Sequence, residues 1–447
     1  MPSRDFREVA DEVAADMAAG RLRPGDRLPP QREFAYARGI AVSTASRVYA
    51  ELARRGLVIG EVGRGTYVRT DLGGPRSVPV EPPSSAIDLQ RTVTYLPEQE
   101  TVVAETLARL ARTGAVEAAL QQYGPTGTPQ AQAVAARFLT SGDYAPSPAD
   151  IRFAGNGRQA IAAALATLAS AGERIGCEPL TYPVVKGIAA HLGIALIPLA
   201  MDEEGVCPEA ILQAHRATPL SGLYLQPSLQ NPLGATMGLR RRTDLAAVLE
   251  RTGLVAIEDA VYGFFGDLPP LAALAPAHVI FVDSLSKRVA PGLTIGMLGA
   301  PPGTGLGDRL GVALRQGGWS ATGFPLAAGV QWMGDGTAER LAAIKRQDAR
   351  ARQDLARSAL AGLEVVGDGR AYHLWLRLPE IWRAEAYATA ALRRGIALIP
   401  ASAFAVAPGH AQNAVRIALA APSHGDLVGA LERLRDLALA GDEQVVE

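Results

Sequence analysis

The chain has 447 residues, 48% hydrophobic, too many for one simple core, so two or three domains are expected. Net charge is −1, which assigns any nucleic-acid contact to a local patch and not to the whole surface. Two cysteines without metal-ligand spacing, no signal-like start and no apolar run of membrane length lead to the expectation of a cytoplasmic protein with free thiols.

Residues 1–70 read as a unit. Phe6, Val9, Val13 and Met17 form a helical stripe ending at Gly20. Arg23-Pro24-Gly25-Asp26 makes a turn, and Pro29-Pro30 opens a short helix that Gly39 breaks. Ser43 or Thr44 is expected to cap a third helix with Ala45, Val48, Tyr49 and Leu52 inward, stopped by Gly56. Leu57-Val58-Ile59 and Thr66-Tyr67-Val68 then read as a two-stranded wing. The order is that of a winged helix-turn-helix. Ser43, Thr44 and Arg47 would face a major groove, with Arg32 and Arg64 on backbone phosphates. The segment holds 12 arginines against 9 carboxylates, a modest positive patch. A helical cap packed on a larger domain is the alternative.

Residues 71–86 contain four prolines and no period, as expected of a semi-rigid linker. From residue 87 onward, helical patterns alternate with apolar runs at 194–199, 222–225, 254–257 and 279–282, which argues for a mainly parallel sheet between helices. Ligands of such sheets bind beyond the strands' carboxyl ends. Gly155-Asn156-Gly157-Arg158-Gln159 opens a helix and could receive a phosphate. Asn231 could bond a phenolic oxygen or simply form a turn before Pro232; Asp259, at a strand end, could hold a ring nitrogen protonated or cap a helix.

Only three of the 44 basic residues are lysines, and Lys287 stands in Ser284-Leu285-Ser286-Lys287 just past a strand. Arginine would solvate a surface equally well, but only a lysine can become a neutral amine nucleophile. Lys186 and Lys345 are expected at the surface.

Gly20-Arg21-Leu22, Pro24-Gly25-Asp26-Arg27-Leu28-Pro29, Arg32-Glu33 and Gly63-Arg64-Gly65-Thr66-Tyr67-Val68 resemble the DNA-binding domain of GntR-type bacterial regulators. The larger part resembles fold-type I pyridoxal-phosphate enzymes of the aspartate aminotransferase group. That resemblance implies a small C-terminal α/β subdomain beside the main sheet. It makes Lys287 the Schiff-base lysine, Asp259 the partner of the pyridine nitrogen, Asn231 and Tyr262 the pair on the ring hydroxyl, and Tyr182 the stacking aromatic. Gly157, Arg158 and Gln159 become the phosphate cup, joined by Ser284, Ser286 and, from a neighbouring subunit, Tyr123; Arg416 becomes the clamp on an effector carboxylate. One departure stands out: Thr294 occupies the place of a phosphate-binding arginine, with Arg288 or Arg158 available to compensate.

Together the parts resemble the MocR subfamily. The resemblance implies a homodimeric, cytoplasmic DNA-binding regulator, with reader 1–70, linker 71–86 and effector and dimerisation domain 87–447, using pyridoxal 5'-phosphate to sense an amine, amino acid or the cofactor itself through aldimine chemistry at Lys287. A working aminotransferase carrying a reader, and a regulator whose large domain is a cofactor-free scaffold, are the alternatives.

Overall fold

The computed structural model describes residues 5–18, 21–22, 26–54, 57–61, 65–68, 87–112, 115–407 and 410–440. The chain divides into two compact units, Met1–Arg76 and Ser77–Glu447.

In the first unit, α1 (Phe6–Ala18) buries Val9, Val13 and Met17 against α3 (Val42–Arg54), which contributes Ala45, Val48, Tyr49 and Leu52. Between them, α2 (Gln31–Arg38) follows Pro30 and ends at Gly39, whose left-handed conformation (φ 62°) turns its N–H back to Tyr36 O while Ile40 N–H reaches Ala35 O. That compact turn leaves Ala41 as the last residue before α3, whose first helical bond runs from Ala45 N–H to Ala41 O (3.0 Å). Ser43 and Thr44 therefore lie inside the first turn and do not cap the helix, contrary to expectation.

The wing pairs β2 (Val58–Glu61) with β3 (Gly65–Val68), and β1 (Arg27–Leu28) adds a third strand through Arg27↔Tyr67. Two residues are too few to show a period, so β1 left no sequence signal. The expected turn at 23–25, the stops at Gly20 and Gly56, Arg64 and the linker lie outside the described residues.

The second unit begins with β4 (Ile87–Asp88), α4 (Pro97–Arg112), α5 (Ala115–Leu120) and α6 (Pro129–Leu139). A regular alternation follows: β5 (Ile151–Ala154), α7 (Gly157–Leu168), β6 (Arg174–Cys177), α8 (Pro183–His191) and β7 (Ala195–Pro198). After the hairpin β8 (Met201–Asp202) and β9 (Gly205–Val206) come α9 (Pro208–Ala217), β10 (Gly222–Leu225), α10 (Leu239–Thr252), β11 (Ala256–Asp259), α11 (Leu271–Leu274), β12 (Val279–Ser284), α12 (Leu285–Arg288) and β13 (Gly296–Gly299).

The main sheet has seven strands in the order β5-β13-β12-β11-β10-β6-β7, and only β13 runs antiparallel. β10, β11 and β12 are buried at every position, which accounts for their continuous apolar composition between helical layers. The strand expected at 254–257 runs two residues later, because Gly253 and Leu254 complete the turn after α10.

Beyond α13 (Leu306–Gln316), α14 (Gly323–Gly334) and the 23-residue α15 (Thr337–Ala359) lies a smaller α/β layer. Its antiparallel sheet comprises β14 (Glu364–Val366), β15 (His373–Arg377), β17 (Ile399–Pro400) and β18 (Ala414–Ala418) in the order β14-β15-β18-β17. Helices α16 (Ala384–Arg393) and α17 (His424–Ala440) pack with it around Trp382, Tyr387 and Leu431. A short β16 (Ile396–Ala397) pairs in parallel with β4 and so draws residues 87–88 into this layer. Among the described residues no helix is long and apolar enough to cross a membrane.

Candidate functional site

A cavity of about 580 Å³ opens where the carboxyl ends of the main-sheet strands meet β18 and the segment after β4. Its wall includes Gly157, Arg158, Tyr182, Asn231, Asp259, Tyr262, Ser284, Ser286, Lys287 and Arg416, so ten of the residues singled out in the sequence converge in one place.

Lys287 is carried there by α12, whose start is fixed by the Ser284 hydroxyl accepting the Ser286 N–H (3.1 Å). Its Nζ donates to Thr92 Oγ1 (2.9 Å) and Thr92 O (3.1 Å) and sits 5.5 Å from the centre of the Tyr262 ring. Burial, then the cations Arg416 and Arg158, bring this amine down to about 7, with Asp259 opposing. Near neutral pH much of it is therefore the unprotonated nucleophile.

Asp259 ends β11. Its Oδ2 accepts the Tyr224 hydroxyl (2.6 Å) and its Oδ1 the Val261 N–H (3.2 Å). Burial pushes this carboxyl up to about 6 against those bonds. Arg416, on β18, donates from Nη1 to Asn231 Oδ1 (3.1 Å) and from Nη2 to Gln90 O. Its guanidinium lies 5.1 Å from the Phe404 ring centre, and its buried Nε has no partner among the described residues.

At the opposite end, Asn156 caps α7 by accepting the Gln159 N–H (3.0 Å). A Cβ on Gly157 would meet Ser284 Cβ at 3.1 Å, so glycine lets the helix start close on the hydroxyls of Ser284, Ser286 and Thr294. The Ser284 hydroxyl stands 3.1 Å from that of Ser286 and 3.0 Å from that of Thr294. Arg158 donates from Nε to the Tyr182 hydroxyl (3.1 Å).

Several residues fall elsewhere. Arg288 is turned from the cavity: its Nη1 pairs with Asp283 Oδ2 at 2.7 Å, and its guanidinium lies 4.8 Å and 5.0 Å from the Phe138 and Phe264 rings. Asp283 is buried and needs this counter-ion, which removes Arg288 as a stand-in for the arginine replaced by Thr294. The Gln159 side chain folds over Gly155, where a Cβ would lie 2.3 Å from Gln159 Oε1. Tyr123 packs, half-buried, against the main core and does not line the cavity of its own chain.

Neither Lys186 nor Lys345 is a free surface residue. Lys186 donates to Ala403 O (2.9 Å), and Lys345 is fully buried. Thr92, Gln90 and Tyr224 were missed. Tyr224 carried a signal, a hydroxyl in an all-buried strand that must find a partner; Thr92 and Gln90 carried none, because their roles depend on contacts about two hundred or more residues away.

On the first unit, Ser43, Arg47 and Arg32 are exposed and Thr44 is half-buried. The Arg47 guanidinium stacks 4.0 Å over the Phe6 ring.

The large-domain site fits pyridoxal phosphate. An amine of low proton affinity, a buried carboxylate, a hydroxyl-lined helix start with one arginine beside it, and a buried arginine with an unpartnered Nε together match an aldehyde, a ring nitrogen, a phosphate and a carboxylate-bearing amine.

Residues 93–434 match the family "Aminotransferase class I and II", and residues 6–68 match "Bacterial regulatory proteins, gntR family". The chain is 30% identical over 423 residues to the uncharacterized HTH-type transcriptional regulator YdeF of Bacillus subtilis, covering 93% of this chain and 90% of the relative. It is 28% identical over 304 residues to the HTH-type pyridoxine biosynthesis transcriptional regulator PdxR of Corynebacterium glutamicum, covering 66% of this chain and 65% of that protein. The crystal structure of LysN, an α-aminoadipate aminotransferase of Thermus thermophilus, superposes with a TM-score of 0.72 at 23% identity, over 81% of this chain and 94% of LysN, which shows the fold. With a gntR-family reader at one end and an aminotransferase class I and II domain over most of its length, the chain belongs to the MocR-type transcriptional regulators.

Proposed function

We propose that this DNA-binding regulator holds pyridoxal phosphate at Lys287 and responds to a primary amine or amino acid that enters the same cavity. The observation that carries the reading is the Lys287 amine, low in proton affinity and held by Thr92 in a cavity that also contains Asp259 and Arg416. Pyridoxal phosphate supplies an aldehyde that condenses reversibly with primary amines.

The chain's own residues do the rest. Asp259, kept in place by Tyr224 and Val261, would hold a proton on the pyridine nitrogen. Asn231 and Tyr262 would contact the phenolic oxygen, and Tyr182 would cover the ring. Arg158, Gly157, Ser284 and Ser286 would bind the phosphate, with Thr294 donating where a cation is missing. Arg416 would receive an effector carboxylate through its unpartnered Nε. Ser43, Thr44 and Arg47, with Arg32 beside them, would face DNA, and a homodimer would present two readers to two half-sites.

An effector changes DNA binding only if it favours one arrangement of the protein over another. The test pairs two measurements on full-length protein: the absorption of bound pyridoxal phosphate and DNA affinity, each across a panel of amines and amino acids. A stable spectral shift accompanied by a change in DNA affinity supports the sensor. Effector-dependent DNA binding that survives intact in Lys287→Ala sinks it. Progressive conversion to pyridoxamine phosphate would move a working aminotransferase ahead.

A further inference from the structure

We propose that Lys345 is a positioning residue for Lys287: its buried ammonium group clamps the turn that carries the reactive lysine. This rests on the reading of Lys287 given above.

Lys345 lies in the middle of α15 and has 0% exposure. Its Nζ donates to the carbonyls of Lys287 (3.1 Å) and Val289 (3.0 Å). Those carbonyls stand at the end of α12, a four-residue helix whose last oxygens have no helical partner. A cation there satisfies the oxygens and opposes the negative end of the helix. Gln99 Nε2 adds a third bond at Val289 O (2.7 Å), so the turn is held from α4 and α15 together. Lys345 thus grips the main chain of the residue whose side chain reaches Thr92.

Among the described residues no carboxylate is bonded to this ammonium group. Asp348, one turn along α15, is already engaged: Oδ2 accepts Arg352 Nε (2.8 Å) and the Tyr372 hydroxyl (2.7 Å), and Oδ1 faces His424 Nε2 (3.1 Å). The charged groups acting on Lys345 are Lys287 and Asp348, and those acting on Lys287 are Arg416, Arg158 and Asp259. Burial and Lys287 lower Lys345 only to about 8, so it remains largely charged at neutral pH. A methionine would fill the same space without the cost of burying a charge. In a chain with three lysines, that cost falls beside the reactive one.

The test compares full-length wild type, Lys345→Met and Lys345→Gln. The measurements are affinity for pyridoxal phosphate, the pH midpoint of the bound cofactor's absorption change, and thermal stability. Loss of one or two bonds to the turn should weaken cofactor binding about tenfold in Lys345→Met. Because the turn sets how the Lys287 amine meets Thr92, its loosening should move the pH midpoint away from the wild-type value in Lys345→Met. Lys345→Gln, which keeps a donor, should retain more affinity and a midpoint nearer that of the wild type. Should Lys345→Met fail to fold, Lys345→Gln carries the same spectral test. Wild-type affinity and midpoint in the variants, with only thermal stability lowered, would make Lys345 a core residue and overturn the proposal. Lys287→Ala separates the two readings: bound-cofactor absorption unchanged in that variant defeats the assignment of Lys287 itself.

Discussion

The Tyr224 hydroxyl stands 2.6 Å from Asp259 Oδ2, both residues buried on neighbouring parallel strands. Its hydrogen favours the ionised carboxylate, opposing the burial that raises Asp259 to about 6. Tyr224→Phe should therefore raise Asp259 further. Affinity for pyridoxal phosphate should fall about tenfold near pH 6–7, where only the wild type remains substantially ionised, and the two proteins should converge at higher pH. Equilibrium dialysis between pH 5 and 9 checks this; a loss that is uniform with pH would point to packing instead.

Lys287 has its ordinary value of 10.5 unfolded and about 7 folded, so between those limits the unfolded chain holds a proton that the folded chain releases. The destabilising effect is complete below about pH 7 and fades as pH rises toward 10.5. Thermal stability of the protein stripped of cofactor should rise from pH 7 to pH 9. Lys287→Met should reduce that slope, leaving the part contributed by Lys186 and Lys345, both lowered by burial to about 8. The rate of pyridoxal phosphate uptake should rise with pH around a midpoint near 7.

Arg158, which lines the cavity, and Arg288, which is turned from it, should behave oppositely. Arg288→Ala leaves Asp283 buried without its counter-ion and should cost about 3–5 kcal/mol of stability, read by denaturant titration. Arg158→Gln should leave stability nearly unchanged but reduce the preference for pyridoxal phosphate over pyridoxal. Equal loss for both ligands would place Arg158 away from the phosphate.

On the reader, Arg47→Ala should weaken DNA binding and reduce the slope of log affinity against log salt by about one, if the arginine meets a phosphate. Relaxed sequence preference at an unchanged salt slope would assign it to a base edge. Fluorescence anisotropy at several salt concentrations distinguishes the two.

Much of this was legible in the chain. The stripe on α1, the break at Gly39 and the buried runs at β10 and β12 follow from periodicity and glycine punctuation, and Lys287 stood out against a chain that otherwise uses arginine. What stayed hidden was non-local. Arg288 beside Lys287 looked like a ligand in one dimension, yet α12 directs it to Asp283, whose need for a partner appears only once β12 is buried on both sides. Lys345 was expected at the surface, because the carbonyls it binds are 58 and 56 residues away. The helix start at Val42 was displaced by a turn geometry that no hydroxyl pattern announces.

The parallel pairing of Ile87 and Asp88 with Ile396 and Ala397 has a mechanical meaning. The polypeptide emerging from residue 86 is stitched to the smaller layer and, within four residues, supplies Gln90 O to Arg416 and Thr92 to Lys287. A carboxylate drawing on Arg416, or any group taking Lys287 from Thr92, competes with the anchorage of the strand nearest the covalent tether to the reader. The tether's mooring and the ligand's seat are one piece of chain.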